Sequence, residues 1–185
     1  MPPLDCRGER AAETGAIERL VCRDAGLAAL DREVDRLYRL ARAAGTGRVP
    51  AALDESQQAW RLRRGDCRNA IDLAPCLRAI HLDRIAALRL HHAAARSADA
   101  DGTSRGPVAF DCAGRTLTVT FVAGAPAMAH LRWRGAGYAA VQVESGSGAR
   151  YRGPDGAEIW TKGSDAAVAL PDGTKLDCRE LRRQG

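Results

Sequence analysis

The feature that most constrains this chain is a change in its hydrophobic period. Up to about residue 96 the apolar residues recur every three or four positions, and from about residue 107 they recur every second position. A repeat near 3.6 suits a helix buried along one face, whereas a repeat of 2 suits a strand with one face inward. No single regular element satisfies both, so the chain must build two kinds of structure. The stretch between them, Ser97-Ala-Asp-Ala-Asp-Gly-Thr-Ser-Arg-Gly106, carries no large apolar group and cannot bury itself. It is read as a linker (97–106) between an all-α domain over 5–96 and a β domain over 107–180, and fully extended it would span about 30 Å.

In the first half, Glu13 to Val21 fits a short helix that Arg23-Asp-Ala-Gly26 interrupts. Leu27, Leu30, Val34, Leu37, Tyr38 and Ala41 then repeat at helical spacing, with Glu33, Asp35, Arg36 and Arg39 between them on the solvent side. Gly45-Thr-Gly-Arg-Val-Pro50 stops that helix, and Leu53 to about Arg68 resumes one with Trp60 on its inner face. After a loop containing Pro75, Leu77, Ile80, Ile85 and Leu88 mark a last helix ending near Ala95. The expected result is an antiparallel helical hairpin or small bundle, with Trp60 and Tyr38 in its core. Arg64-Gly-Asp66 lies at a helix end beside a cysteine, a poor setting for an adhesion motif. His91 and His92 are adjacent, so they do not share a helix face and are read as solvated rather than metal-bound.

In the second half Leu117, Val119 and Phe121 alternate with threonines, Leu131 and Trp133 with arginines, and Val141 and Val143 flank Gln142. Gly124-Ala-Pro126, Gly135-Ala-Gly137, Pro154-Asp-Gly156 and Pro171-Asp-Gly173 mark turns. With Ala157 to Thr161, Ala166 to Leu170 and Lys175 to Cys178, seven or eight short strands fit. So many strands in so short a chain point to a small closed antiparallel barrel, which leaves no free edge. The fold class is therefore α+β in two segregated domains.

The chain has six cysteines and four histidines. No Cys-x-x-Cys occurs and the histidines are not at zinc-ligand spacing from the cysteines, so no metal or cofactor is expected and disulfides are. Cys6, Cys22, Cys67 and Cys76 should pair among themselves; four cysteines allow three pairings, and a straight hairpin folded near Gly47 would bring Cys22 opposite Cys76. Cys112 and Cys178 bracket nearly the whole β half and should form a crosslink worth about 4 kcal/mol. Disulfides imply an oxidising compartment. No run approaches the roughly 20 apolar residues of a membrane span, and Met-Pro-Pro-Leu-Asp-Cys6 lacks the plan of a signal peptide, so a mature, exported chain whose signal has been removed is expected. The net charge is +5, but 110–178 contains seven basic and seven acidic residues. The excess forms no clustered stripe, which argues against nucleic-acid binding.

Function is sought in Ser145-Gly-Ser-Gly-Ala-Arg-Tyr151 and Ile159-Trp-Thr-Lys-Gly163, where the sequence departs furthest from what packing asks for. Glycines allow close backbone approach, serine hydroxyls hydrogen-bond, and Lys162 supplies a positive charge: a tip suited to a narrow acidic cleft. Together with Phe110-Asp-Cys112, Leu117-Thr-Val-Thr-Phe121 and Cys178, these stretches resemble the MliC family of membrane-bound and periplasmic inhibitors of c-type lysozyme, over roughly Val108 to Cys178. The resemblance implies a small β-barrel whose Ser147 and Lys162 enter the lysozyme cleft and engage its two catalytic carboxylates. Ser145, Gly146, Gly148, Arg150, Tyr151, Thr161 and Gly163 complete the implied binding set, with Tyr151 and Trp160 expected to pack the barrel while fixing the loop base. The helical half, through Asp5-Cys6, Glu18-Arg-Leu-Val-Cys22, Leu30-Asp31, Tyr38, Gln58-Ala-Trp60, Arg64-Gly-Asp-Cys67 and Cys76-Leu77, is similar to LprI-type envelope proteins, some of which are associated with lysozyme inhibition. The implied setting is the bacterial periplasm or cell envelope, as a lipoprotein or a released protein, in host–pathogen defence. The other readings are a non-catalytic module binding peptidoglycan or an envelope protein through the helices, and a serine hydrolase. The last lacks a strand-turn-helix elbow, since Gly146-Ser-Gly148 is flanked by strands, and His130 is the sole histidine of this half. No enzyme activity is expected.

Overall fold

The computed structural model describes residues 15–96 and 102–181, and the chain divides into two compact units at Gly102/Thr103. The first unit holds four helices, α1 (Ala16–Arg23), α2 (Ala25–Ala44), α3 (Val49–Asp66) and α4 (Leu73–His91), with short 3₁₀ turns at Cys67–Asn69 and Ala93–Arg96. Their buried faces follow the apolar repeat: Leu27, Leu30, Val34 and Leu37 on α2 and Leu77, Ile85 and Leu88 on α4 are almost wholly enclosed. Trp60 is buried as expected, and its indole N–H donates to the Ile80 carbonyl at 3.0 Å. Tyr38 is half-buried, with its hydroxyl on Asp54.

Several boundaries differ from the sequence reading, each for a local reason. Only Asp24 separates α1 from α2, and Gly26 is helical: the Asp24 carboxylate accepts from the Leu27 N–H at 3.0 Å and so starts the next helix at once. The stretch from Gly45 to Pro50 does end α2, at Ala44, but Pro50 belongs to the next helix and Pro75 lies in α4 rather than in a loop. Each lies in a first turn, where the missing N–H has no intrahelical partner to lose. The last helix ends at His91, not near Ala95, and a 3₁₀ turn follows. Glu33 is buried rather than solvent-facing, held to Arg36 at 2.8 Å. Cys76 pairs with Cys67 across the α3–α4 connection, not with Cys22. Cys22 is disulfide-bonded too; Cys6 lies outside the described residues.

The second unit is a closed barrel of eight antiparallel strands, each paired with its sequence neighbours and β1 closing on β8: β1 (Ser104–Cys112), β2 (Arg115–Val122), β3 (Met128–Trp133), β4 (Ala136–Val143), β5 (Ala149–Arg152), β6 (Glu158–Lys162), β7 (Asp165–Ala169) and β8 (Lys175–Glu180). Ser104 to Gly106, from the polar stretch, thus belong to the sheet. Phe110, Leu117, Val119, Leu131, Trp133, Tyr151, Ile159 and Val168 fill the interior, and Cys112–Cys178 forms as expected. On β4 it is Ala140, with Tyr138 against it, that joins this core, so Val141 and Val143 fall on the opposite face of their strand. Among the described residues no helix is long and apolar enough to cross a membrane.

Candidate functional site

Three hairpins of the barrel turn tightly. Cys112 pairs with Arg115, Trp133 with Ala136 and Lys162 with Asp165, leaving two residues at each tip. Gly163, at a φ of 61°, supplies the left-handed conformation that the last of these turns requires. The β4–β5 hairpin differs: Val143 pairs with Arg150, and Ser145-Gly-Ser-Gly148 lies in the longer connection between them. Ser145 to Gly148 are all exposed. The stretch singled out by composition is therefore an exposed tip on a six-residue connection, longer than these three turns and one residue longer than the β2–β3, β5–β6 and β7–β8 connections.

Register delivers Lys162 to this tip. Ala149 pairs with Thr161 and Arg150 with Trp160, so one step outward along the two strands puts Gly148 opposite Lys162. Gly148 has a φ of 67°, and a Cβ there would overlap the Thr161 carbonyl oxygen and lie 3.4 Å from the Lys162 Cα. Only glycine lets the loop backbone lie so close to β6. The Thr161 hydroxyl adds a bond to the Ala149 carbonyl at 3.3 Å. Ser147, next to Gly148, is thereby held on the same rim as Lys162, and both residues are exposed rather than sealed in the barrel.

Charges around the site are treated unequally. Arg150 donates to Glu158 through Nε at 2.9 Å and Nη2 at 2.7 Å, and Arg152 reaches the other oxygen of the same carboxylate at 2.8 Å. Burial pushes the Glu158 pKa up, but the bonds from the two arginines outweigh it and leave the carboxyl below its ordinary range. Arg179 pairs with Asp165 at 3.2 Å. Lys162, by contrast, makes no ion pair among the described residues and stands beside an open depression of about 470 Å³ on the outer face of β6 to β8, near Asp165 and Asp177. A lysine kept free while neighbouring arginines are tied down is available to an outside anion.

Of the residues implied by sequence, Ser145, Gly146, Ser147, Gly148, Thr161, Lys162 and Gly163 gather at this one rim. Two others do not present themselves to it. Tyr151 is buried in the barrel, tilted against Phe121 at 5.5 Å between ring centres, with burial raising its hydroxyl pKa. Arg150 is engaged with Glu158. Trp160 packs no core: it alternates with buried Ile159, is 41% exposed, and its indole N–H donates to the Ser147 carbonyl at 2.8 Å. The Ser145 hydroxyl donates to the same oxygen at 2.7 Å. The sequence signal for Trp160 was its parity with Lys162 and opposite parity to Ile159, which places it outside. His130 is buried on β3, a strand that pairs with β2 and β4 and not with β5 or β6. Among the described residues no group of histidines, cysteines and acids could hold a metal.

Residues 110–177 match the model of the MliC family, described as a membrane-bound lysozyme-inhibitor of c-type lysozyme. Over 148 residues, 78% of this chain and 69% of the relative, the chain is 31% identical to lipoprotein LprI of Mycobacterium tuberculosis, and equally so to that of Mycobacterium bovis.

Proposed function

Because this chain belongs to the LprI family and joins a helical domain to an MliC-type β-barrel, we propose that it is an inhibitor of c-type lysozyme acting in the bacterial cell envelope, without catalytic activity of its own. The observation that carries the proposal is the shared rim, where the β4–β5 loop lies backbone to backbone on the strand ending in Lys162.

The target's chemistry sets what this rim must do. Lysozyme cleaves with one protonated carboxylic acid and one carboxylate on either side of the scissile bond. Ser147 offers a hydroxyl that accepts from the acid or donates to it, and Lys162 offers an ammonium group to the carboxylate. The loop then occupies the place of the sugar chain. Glycines at 146 and 148 keep the tip thin enough for a slot, and the unpaired Lys162 gives up no internal partner on entry. A charge-assisted hydrogen bond out of water is worth roughly 1.5 to 3 kcal/mol, so two such contacts can dominate what the loop contributes to affinity.

The test is turnover of a c-type lysozyme on cell-wall substrate with the full chain and with Ser147→Ala and Lys162→Ala. Each substitution is expected to weaken inhibition by roughly ten- to a hundredfold while melting stays unchanged. If both variants inhibit as well as the parent, Ser147 and Lys162 do not carry the activity. Retention on insoluble peptidoglycan with no effect on lysozyme would instead support the envelope-binding reading.

A further inference from the structure

The use proposed for Ser147 needs a hydroxyl held in one place, yet it lies in a stretch made only of serine and glycine. Such sequences behave as flexible chains unless something fastens them. Here the fastening is on the main chain. The carbonyl oxygen of Ser147 receives the indole N–H of Trp160 at 2.8 Å and the hydroxyl of Ser145 at 2.7 Å. A carbonyl oxygen has two lone pairs, so these two donors complete its ordinary hydrogen bonding.

The donors come from different places. Ser145 reaches back from within the loop, while Trp160 belongs to β6, the strand that carries Lys162 two positions on. The Trp160 bond therefore ties the residue bearing the hydroxyl to the strand bearing the ammonium group. Packing does not account for a tryptophan there. On β6 the core contact is Ile159, while Trp160 remains 41% exposed with small Ala167 opposite it on β7. A large exposed aromatic whose N–H is spent on a neighbouring loop calls for a reason other than burial.

We infer that Trp160 is a positioning residue, latching the Ser147 carbonyl together with Ser145 and so holding the loop in its binding shape before lysozyme arrives; this rests on reading Ser147 and Lys162 as the inhibitory pair. Ordering the loop in the free protein removes that cost from association. Without the latch the loop spends part of its time in shapes that cannot enter a cleft, and apparent affinity falls by the competent fraction. Contacts with the enzyme are unchanged, so the loss belongs to the association rate and not to dissociation.

The experiment uses the full chain with Trp160→Phe, which keeps a ring and removes the N–H, beside Ser145→Ala and Ser145→Thr. In the free protein, backbone ¹⁵N order parameters at Gly146, Ser147 and Gly148 are expected to fall in Trp160→Phe, while those at Ile159 and Lys162 and the melting temperature hold. Against c-type lysozyme the same variant is expected to associate roughly two- to tenfold more slowly and to dissociate at the parent rate. Ser145→Ala should behave likewise, and Ser145→Thr, which restores the hydroxyl, should recover both readouts. Unchanged order parameters in Trp160→Phe overturn the latch whatever lysozyme does. A loss expressed as faster dissociation also overturns it, because Trp160 would then be touching the enzyme. If the parent chain does not bind lysozyme, the reading of the rim fails instead, and the relaxation measurement alone decides the latch.

Discussion

The disulfide Cys67–Cys76 in the helical unit closes a separation of 9 residues, and Cys112–Cys178 in the barrel closes 66. Charge is handled just as differently in the two units. In the helical unit Arg64 bridges Glu18 at 3.3 Å and Asp31 at 3.1 Å, joining α1, α2 and α3, while buried His81 on α4 donates through Nδ1 to the Leu77 carbonyl and sets Nε2 3.4 Å from the same Asp31. Trp60 lies edge-on to His81 and beneath the Arg64 guanidinium. The barrel instead has an apolar interior and wears its ion pairs outside. The difference teaches where each unit can act. A unit that spends charged groups on fixing its helices has them engaged internally, whereas a scaffold held by a closed sheet and one long-range crosslink can leave a lysine uncommitted at its rim.

That contrast can be broken most forcefully at the crosslinks. In the chain-entropy account, losing the longer loop closure costs about 4 kcal/mol and losing the shorter about 2.5 kcal/mol. Replacing Cys112 and Cys178 together by Ala should thus lower the barrel's unfolding midpoint in denaturant far more than the Cys67/Cys76 double replacement lowers that of the helices. Equal losses would mean the separations do not set the stabilisation. Next in size is the buried network. Arg64→Ala removes the bridge between Glu18 on α1 and Asp31 on α2, a change expected to cost about 2 kcal/mol in the helical unit. Lysozyme inhibition should be untouched, and a parallel loss would show that the helices share the site.

Acid gives the smallest and finest comparison. Asp24 is held below its usual range chiefly by the Leu27 N–H and then by Arg78, while Glu158 is lowered by Arg150 and Arg152 against the effect of burial. A depressed folded-state pKa gives stability that is present above the unfolded value and is lost as pH falls through the folded one. Both units should therefore weaken below about pH 4.5, by roughly 1 kcal/mol or less per group. Asp24→Asn should flatten that loss in the helical unit alone and Glu158→Gln in the barrel alone, as followed by far-UV circular dichroism of each transition.

The barrel was more legible than the helices. Strict alternation in Leu117, Val119 and Phe121 and in Leu131 and Trp133 gives each strand one inward face, and the closing cysteines fix its extent. Helix ends proved harder because Pro50, Pro75 and Gly26 read as breakers, yet the first two sit where a proline costs nothing and the third follows a carboxylate cap. The four-cysteine pairing could not be read at all, since it depends on how α3 and α4 connect. At the rim, the prominence of Ser147 and Lys162 was visible. The fate of Arg150 was not, because its Glu158 partner lies across a hairpin whose register the sequence leaves open.

The central claim is that the rim enters the cleft where sugars bind. Its most direct test is titration of the full chain into c-type lysozyme with the cleft empty and with it filled by a short N-acetylglucosamine oligomer. Apparent affinity should fall in proportion to the fraction of cleft occupied. An affinity that does not change as the oligomer saturates the enzyme would contradict the account.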